Sequence, residues 1–311
     1  MKRFSMMHES MRQTGRPGTY TVAGAGEGEV HDGIIVRDLC AGYGRGMPDA
    51  LSALSLTLPA GQLAALVGPN GCGKSTLLKA IMGFVPVRSG SIMLEGISVQ
   101  RLGRRRMSRL VAYMPQDVIC PEYATVGDIV EMAAYGRHGF FGGPDGIDRG
   151  RFREALDAMG LRAHAGTAMS ILSGGQRQRA WIAMALAQDS SIILLDEPVN
   201  HLDMKYQYAV LGLLGTLARD RGKTILLVLH DLNLAAAFAD RLVMMKEGGI
   251  VTVGAVHRVM TADVIRSVYG VNADVFERNG RWVCLPAVQD SVVLPSCSAR
   301  PEGRARGRTG L

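Results

Sequence analysis

No stretch of about 18 consecutive apolar residues occurs in the 311-residue chain, so no segment is expected to span a bilayer. The opening Met1–Glu9 is basic but lacks the apolar core of a secretory leader, and the chain is expected to stay in the cytoplasm. Cysteine is scarce: Cys40, Cys72, Cys120, Cys284 and Cys297 are odd in number, scattered and without metal-ligand spacing. That excludes a disulfide framework and a structural zinc site, and suits reduced thiols. A formal charge of +7 could signal nucleic acid, yet no recognisable nucleic-acid-reading motif accompanies it. Part of the surplus sits in Arg300, Arg304, Arg306 and Arg308 near the C-terminus. Another part, Arg101, Arg104, Arg105, Arg106 and Arg109, reads as the solvated face of a short helix. No nucleic-acid partner is expected.

What is present is a globular composition, and within it one stretch from which the rest can be read. Gly68-Pro69-Asn70-Gly71-Cys72-Gly73-Lys74-Ser75-Thr76 fits G-x-x-x-x-G-K-[ST] at every fixed position. The apolar run Leu63–Val67 ahead of it reads as a buried strand; Leu77, Leu78 and Ile81 behind it have helical spacing. Glycines at these positions let the backbone close around a polyphosphate and point N–H groups inward, while the helix N-terminus adds a positive dipole. Lys74 is then placed on the β- and γ-phosphates, and Ser75 offers a hydroxyl to Mg²⁺, a hard cation that prefers oxygen ligands. Cys72, near a helix N-terminus, is a candidate for a lowered thiol pKa and redox sensitivity.

Residues 1–32 are expected to be a mobile extension and residues 287–311 a disordered basic tail. Order is expected from Ile34-Ile35-Val36, read as an edge strand. Tyr43 lies in a turn upstream of the phosphate loop and could stack on an adenine. Gln116 follows a strand, Leu110–Met114, and could reach a metal or water at its end. Residues from about 118 to 171 read as helical: Val126, Ile129, Val130, Ala133 and Ala134 share one face, with Thr125 and Asp128 as a capping box. A second face, Phe152, Ala155, Leu156 and Met159, stops at Gly160. Between them Phe140 and Phe141 suggest a partner surface. Ser173 is placed as a helix cap, with free N–H groups behind it forming a second anion site, and a long helix follows over Ala180–Gln188. The strand Ile192–Leu195 ends in Asp196-Glu197, and Thr224–Leu229 ends in His230. After Val253 the pattern weakens, with Trp282–Pro286 as the last ordered piece.

Alternating strands and helices around a phosphate loop indicate an α/β fold with a mainly parallel sheet and the nucleotide at its C-terminal edge. Asp196 would hold Mg²⁺ through water, Glu197 would polarise the attacking water, and His230 would bond the γ-phosphate or that water. Phosphoryl transfer asks mostly for such positioning and charge stabilisation.

The phosphate loop, Gln116, Leu172-Ser173-Gly174-Gly175-Gln176, Asp196-Glu197, Asn200-His201-Leu202-Asp203 and His230 together resemble the motif set of an ABC-transporter ATPase subunit, over about residues 34 to 286. The resemblance implies a P-loop NTPase core with an antiparallel β subdomain and an inserted α-helical subdomain. It implies a head-to-tail dimer in which Ser173, Gly174, Gly175 and Gln176 of one copy close on ATP bound by Lys74 of the other. It also implies permease subunits in the membrane, a substrate-binding protein beyond them, and a peripheral place on the cytoplasmic face of the inner membrane. Leu39–Gly44, Asn200–Gln207, His230–Ala235 and Val268–Val271 are similar to the importer ATPases for ferric siderophores, haem and vitamin B12. Two stretches depart from that pattern: Tyr135–Phe141 begins like the family's and diverges, and Ala168–Ile171 lacks its usual polar anchor. A ferric siderophore is the expected cargo, with haem or vitamin B12 as the alternative. A soluble ABC-type ATPase acting on ribosomes or DNA is the rival of another class.

Overall fold

The computed structural model describes residues 32–44, 46–118, 123–138 and 143–287. The first 31 residues, Cys120, Phe140, Phe141, Cys297 and the basic tail lie outside the described residues.

β1 (Asp32–Ala41) and β2 (Leu51–Pro59) form an antiparallel pair, followed by β3 (Leu63–Val67), the phosphate loop and α1 (Lys74–Ile81). β4 (Val87–Leu94) and β5 (Ile97–Ser98) return to complete an antiparallel sheet of order β2-β1-β4-β5. This corrects the reading of Ile34–Val36 as an edge: β1 is paired on both sides. Its partners lie tens of residues away, and a local apolar pattern carries no information about them.

The basic helix is α2 (Arg104–Leu110), with Arg104, Arg105, Arg106 and Arg109 exposed as expected, and it runs straight into β6 (Val111–Met114). The region up to residue 171 is helical in pieces: α3 (Val126–Glu131), α4 (Tyr135–His138) and α5 (Gly146–Ala158), joined by 3₁₀ turns and loops. The capping box opening α3 is formed, since Thr125 Oγ1 accepts from the Asp128 amide at 3.1 Å and the Asp128 carboxylate accepts from the Thr125 amide at 2.8 Å. Both apolar faces are buried as read. α6 (Gly174–Ala187) begins six residues earlier than expected. Two glycines argue against a helix start by propensity, but Ser173 and Gln176 form a capping box that supplies the missing partners.

β7 (Ile192–Leu195), α7 (Met204–Arg221), β8 (Thr224–Val228), α8 (Leu232–Phe238), β9 (Arg241–Lys246) and β10 (Gly249–Ala255) follow. The main sheet has the order β10-β9-β3-β8-β7-β6, parallel from β9 to β6 and antiparallel only at β10. Beyond it come α9 (Val256–Val259), α10 (Ala262–Tyr269) and a separate hairpin of β11 (Ala273–Arg278) and β12 (Arg281–Pro286). α10 and β11 lie where the sequence pattern had weakened.

Period-2 alternation in a fully buried strand feeds two cores at once. Leu63, Ala65 and Val67 of β3, with Ile193, Leu195, Ile225 and Leu227, pack towards the helices α3, α5, α6 and α7. Ala64 and Leu66, with Ile192, Leu194, Leu226 and Val228, pack towards α1 and the antiparallel sheet. Each fully buried Leu, Ile or Val contributes about 1.5–3 kcal/mol. That two-sided burial fixes the strands whose C-terminal ends carry the polar groups described next.

Candidate active site

β3, β8, β7 and β6 are consecutive neighbours and all parallel, so the residues following each of them emerge at one edge. After β3 comes the phosphate loop, after β8 His230, after β7 Asp196 and Glu197, after β6 Gln116. They surround a cleft of about 420 Å³ lined by Asn70, Gly73, Lys74, Ser75, Gln116, Glu197 and His230.

Two loop glycines are required by their surroundings. A Cβ on Gly68 would stand 2.3 Å from the Met245 carbonyl oxygen, and one on Gly73 would meet Leu51 at 2.9 Å with φ at +104°. Lys74 is buried, and its ammonium donates to the carbonyls of Gly68 at 2.8 Å and Pro69 at 2.9 Å. An ammonium held at the head of α1, where the free N–H groups of the helix start point, is a phosphate-binding arrangement. Tyr43 is 58% exposed beside this loop, its hydroxyl 3.2 Å from Thr76 Oγ1, which leaves a ring face available for stacking. Cys72 departs from expectation. It is buried, and desolvation raises its thiol pKa in spite of the nearby Lys74 ammonium, so it is not the activated thiolate that its place near a helix N-terminus suggested.

Ser75 donates to Asp196 Oδ1 at 3.1 Å. Asp196 is 1% exposed, and its other oxygen, Oδ2, is buried without a hydrogen-bond partner among the described residues. Desolvation raises the Asp196 pKa; the Ser75 hydroxyl opposes this and the Glu197 carboxylate reinforces it. A hydroxyl, an orphaned carboxylate oxygen and the mouth of a phosphate cleft form an all-oxygen set that fits Mg²⁺.

Glu197 is the most constrained group. Its backbone is left-handed at φ +55°, a conformation that costs a non-glycine residue about 1–3 kcal/mol. Its carboxylate accepts from Gln116 Nε2 at 2.9 Å, from His230 Nε2 at 2.5 Å and from Asn200 Nδ2. Gln116, expected also at the metal, uses its Nε2 on Glu197, whereas a cation would take its Oε1. The motif Asn200-His201-Leu202-Asp203 by itself assigns Asn200 no role; its place three residues beyond Glu197 is the available signal. Ser173, Gly174, Gly175 and Gln176 do not line this cleft. They form the first turn of α6, where Ser173 Oγ accepts from the Gln176 amide at 3.2 Å.

A phosphate loop, an oxygen-lined cation position and a held carboxylate at one edge of a parallel sheet define a P-loop nucleoside triphosphatase. Within that class, residues 51–200 match the ABC transporter family. The chain is 36% identical over 246 residues to the iron(3+)-hydroxamate import ATP-binding protein of Bacillus subtilis, covering 78% of this chain and 91% of that protein. Among solved structures it is similar to a metal-chelate type ABC transporter in an inward-facing conformation, with a TM-score of 0.70 and 27% identity over 83% of this chain and 98% of that one. It is also similar to a dimeric bacterial ABC transporter cassette, with a TM-score of 0.65 and 28% identity over 72% of this chain and 98% of the other. The chain belongs to the ATP-binding proteins of the ABC transporter family, whose members hydrolyse ATP.

Proposed function

We propose that this chain is the ATP-hydrolysing subunit of an importer that takes up a ferric siderophore through a membrane permease. The observation that carries the enzymatic part is the triple grip of Gln116, Asn200 and His230 on the Glu197 carboxylate at the mouth of the phosphate cleft. The cargo is inferred from the import role of the Bacillus subtilis relative and the metal-chelate type of the structural neighbour.

Lys74 leaves the Gly68 and Pro69 carbonyls for the phosphate oxygens, and the loop amides from Gly71 to Thr76 surround them. Ser75 and Asp196 would hold Mg²⁺, which would supply Lewis-acid neutralisation of phosphate charge. Tyr43 stacks on the adenine. Glu197 takes the proton of the attacking water as its oxygen bonds to the γ-phosphorus and the bond to the bridging oxygen breaks, giving ADP and phosphate. His230 and Gln116 hold the carboxylate in line. Because the signature turn from Ser173 to Gln176 lies off its own cleft, it closes on the nucleotide of a second copy arranged head to tail. This agrees with the dimeric state of the related cassette. Nucleotide bound between two copies stabilises the pair by mass action, and its hydrolysis releases them.

Glu197→Gln is expected to retain ATP binding, to lose about 100-fold or more in turnover, and to run as an ATP-dependent dimer on size-exclusion chromatography. A variant that binds ATP yet stays monomeric removes the shared-site reading. For the cargo, the chain should co-purify with a polytopic membrane protein and drive ATP-dependent uptake of a ferric hydroxamate into proteoliposomes. Co-purification with ribosomes or DNA, and never with such a membrane protein, overturns import.

A further inference from the structure

Gln178 takes no part in the chemistry just described, yet it is 92% buried and uses both ends of its amide on the segment that follows β7. Its Nε2 donates to the Glu197 carbonyl at 2.9 Å, and its Oε1 accepts from the His201 amide at 3.2 Å. One side chain of α6 therefore pins both ends of the five-residue stretch from Glu197 to His201. The same stretch is pressed by the signature itself, since a Cβ on Gly175 would stand 3.1 Å from the His201 carbonyl oxygen. Arg179, the next residue on α6, lays its guanidinium 3.9 Å from the centre of the Tyr206 ring on α7 and donates to the Met159 carbonyl at 2.6 Å. The first two turns of α6 are thus fastened to the loop that carries Glu197, to α7 beyond it and to the end of α5.

This matters because Glu197 is held in a left-handed conformation that its own residue type disfavours. A conformation of that kind persists only where surrounding bonds over-determine it, and the Gln178 bond to the Glu197 carbonyl is one of them. The N-terminus of α6 faces the partner's nucleotide in the proposed dimer, while Glu197 faces its own. A rigid helix that shifts to seat its signature carries Gln178 with it.

We propose that Gln178 is a positioning residue that couples the signature turn to Glu197, so that seating the signature on the partner's nucleotide is transmitted to the backbone that sets the Glu197 carboxylate. The inference rests on the ATP-hydrolysing dimer proposed above and deepens it.

The test is Gln178→Met in the full chain, a replacement of similar length without the amide. Turnover should fall about 10- to 100-fold, the range expected when a catalytic group is displaced by an ångström or less. The KM for ATP should stay within about twofold, because the phosphate loop is untouched. Combined with Glu197→Gln, the variant should still form the ATP-dependent dimer, since the signature's own cap, Ser173 with Gln176, is intact. Unchanged turnover, a raised KM at constant kcat, or loss of the dimer in the combined variant would each overturn the proposal. Gln178→Glu gives an independent reading should the Met variant not fold. It retains the acceptor for the His201 amide but sets a carboxylate against the Glu197 carbonyl, so its deficit relative to wild type should shrink as pH falls and the carboxyl regains a proton. A deficit that is absent, or the same at every pH, also overturns it. Failure of the wild-type chain to hydrolyse ATP at all would instead defeat the function proposed above, so the two failures are distinguishable.

Discussion

Two aspartates, each 1% exposed, are treated in opposite ways by this fold. Asp196, at the mouth of the phosphate cleft, has Ser75 on one oxygen and, among the described residues, no partner on the other, and burial raises its pKa. Asp148, at the start of α5, accepts from Arg137 Nε at 2.8 Å and from His138 Nε2 at 2.5 Å, with Arg137 Nη2 at 2.6 Å. Burial pushes the Asp148 pKa up as well, but the Arg137 and His138 hydrogen bonds more than offset it and the carboxyl stays below its usual range. The Arg137 guanidinium is shared: Nη1 also donates to the Gln188 carbonyl at 2.6 Å, just past the end of α6. One acid has its cations built in and serves as a joint between α4, α5 and α6. The other is left short of a cation, which is the condition of a site that binds one. A buried unsatisfied carboxylate costs stability in the free protein and marks a place where function took precedence over packing.

That contrast can be broken at its strongest point first. Arg137→Ala strips the fully buried Asp148 of its main counter-charge and the α6 end of its donor, and should cost about 3 kcal/mol in denaturant unfolding. A cost below about 1 kcal/mol would place the joint among ordinary surface pairs. On the cleft side, Lys74→Ala should leave the fold intact but weaken ATP binding by about 100-fold, measured by titration, as expected for loss of a charge-assisted contact to phosphate worth about 1.5–3 kcal/mol. Unchanged binding would remove Lys74 from its role. The smallest effect is the most discriminating: Asp196→Asn keeps an acceptor for Ser75 and deletes a desolvated charge. Its stability without nucleotide should be unchanged or higher by less than about 1 kcal/mol, while Mg²⁺-dependent hydrolysis is lost.

The pH dependence separates the two acids further. Asp148, with a depressed pKa, contributes stability that is present above about pH 4 and lost as pH falls through its folded value. Asp196, with a raised pKa, contributes in the other sense: its share is fully present below the unfolded pKa and is lost as pH rises through the folded one. In unfolding measured over a pH series, Asp196→Asn should therefore flatten the decline on the rising side. An unaltered slope would mean that Asp196 is not the strained group.

The chemistry-bearing residues were legible because their spacing is local. A G-x-x-x-x-G-K-[ST] loop between an apolar strand and a helical face, and two acids at the end of Ile192–Leu195, need only neighbours in sequence to be recognised. So were the caps at Thr125 and Ser173, which satisfy backbone groups within three residues. β1 reads as an edge and α6 as starting late because strand pairing is decided by distant partners, and the two glycines that open α6 hide a helix start that its cap makes good. The same reason hid Asn200, Gln178 and the Arg137–Asp148 joint, each an ordinary polar residue until the fold supplies its contact. Cys72 shows the converse: its position promised a reactive thiol, and burial reversed the sign of the shift.

The sequence alone determined that this chain makes a nucleotide site, because phosphate loops and strand-end acids are read from contiguous residues whose backbone chemistry is fixed by their type. Only the tertiary structure decided which groups hold Glu197, which aspartate is left wanting a cation, and that the signature turn stands away from its own cleft. Those outcomes depend on the order of parallel strands and on what is buried beside each carboxylate, and neither is encoded in any short stretch of the chain.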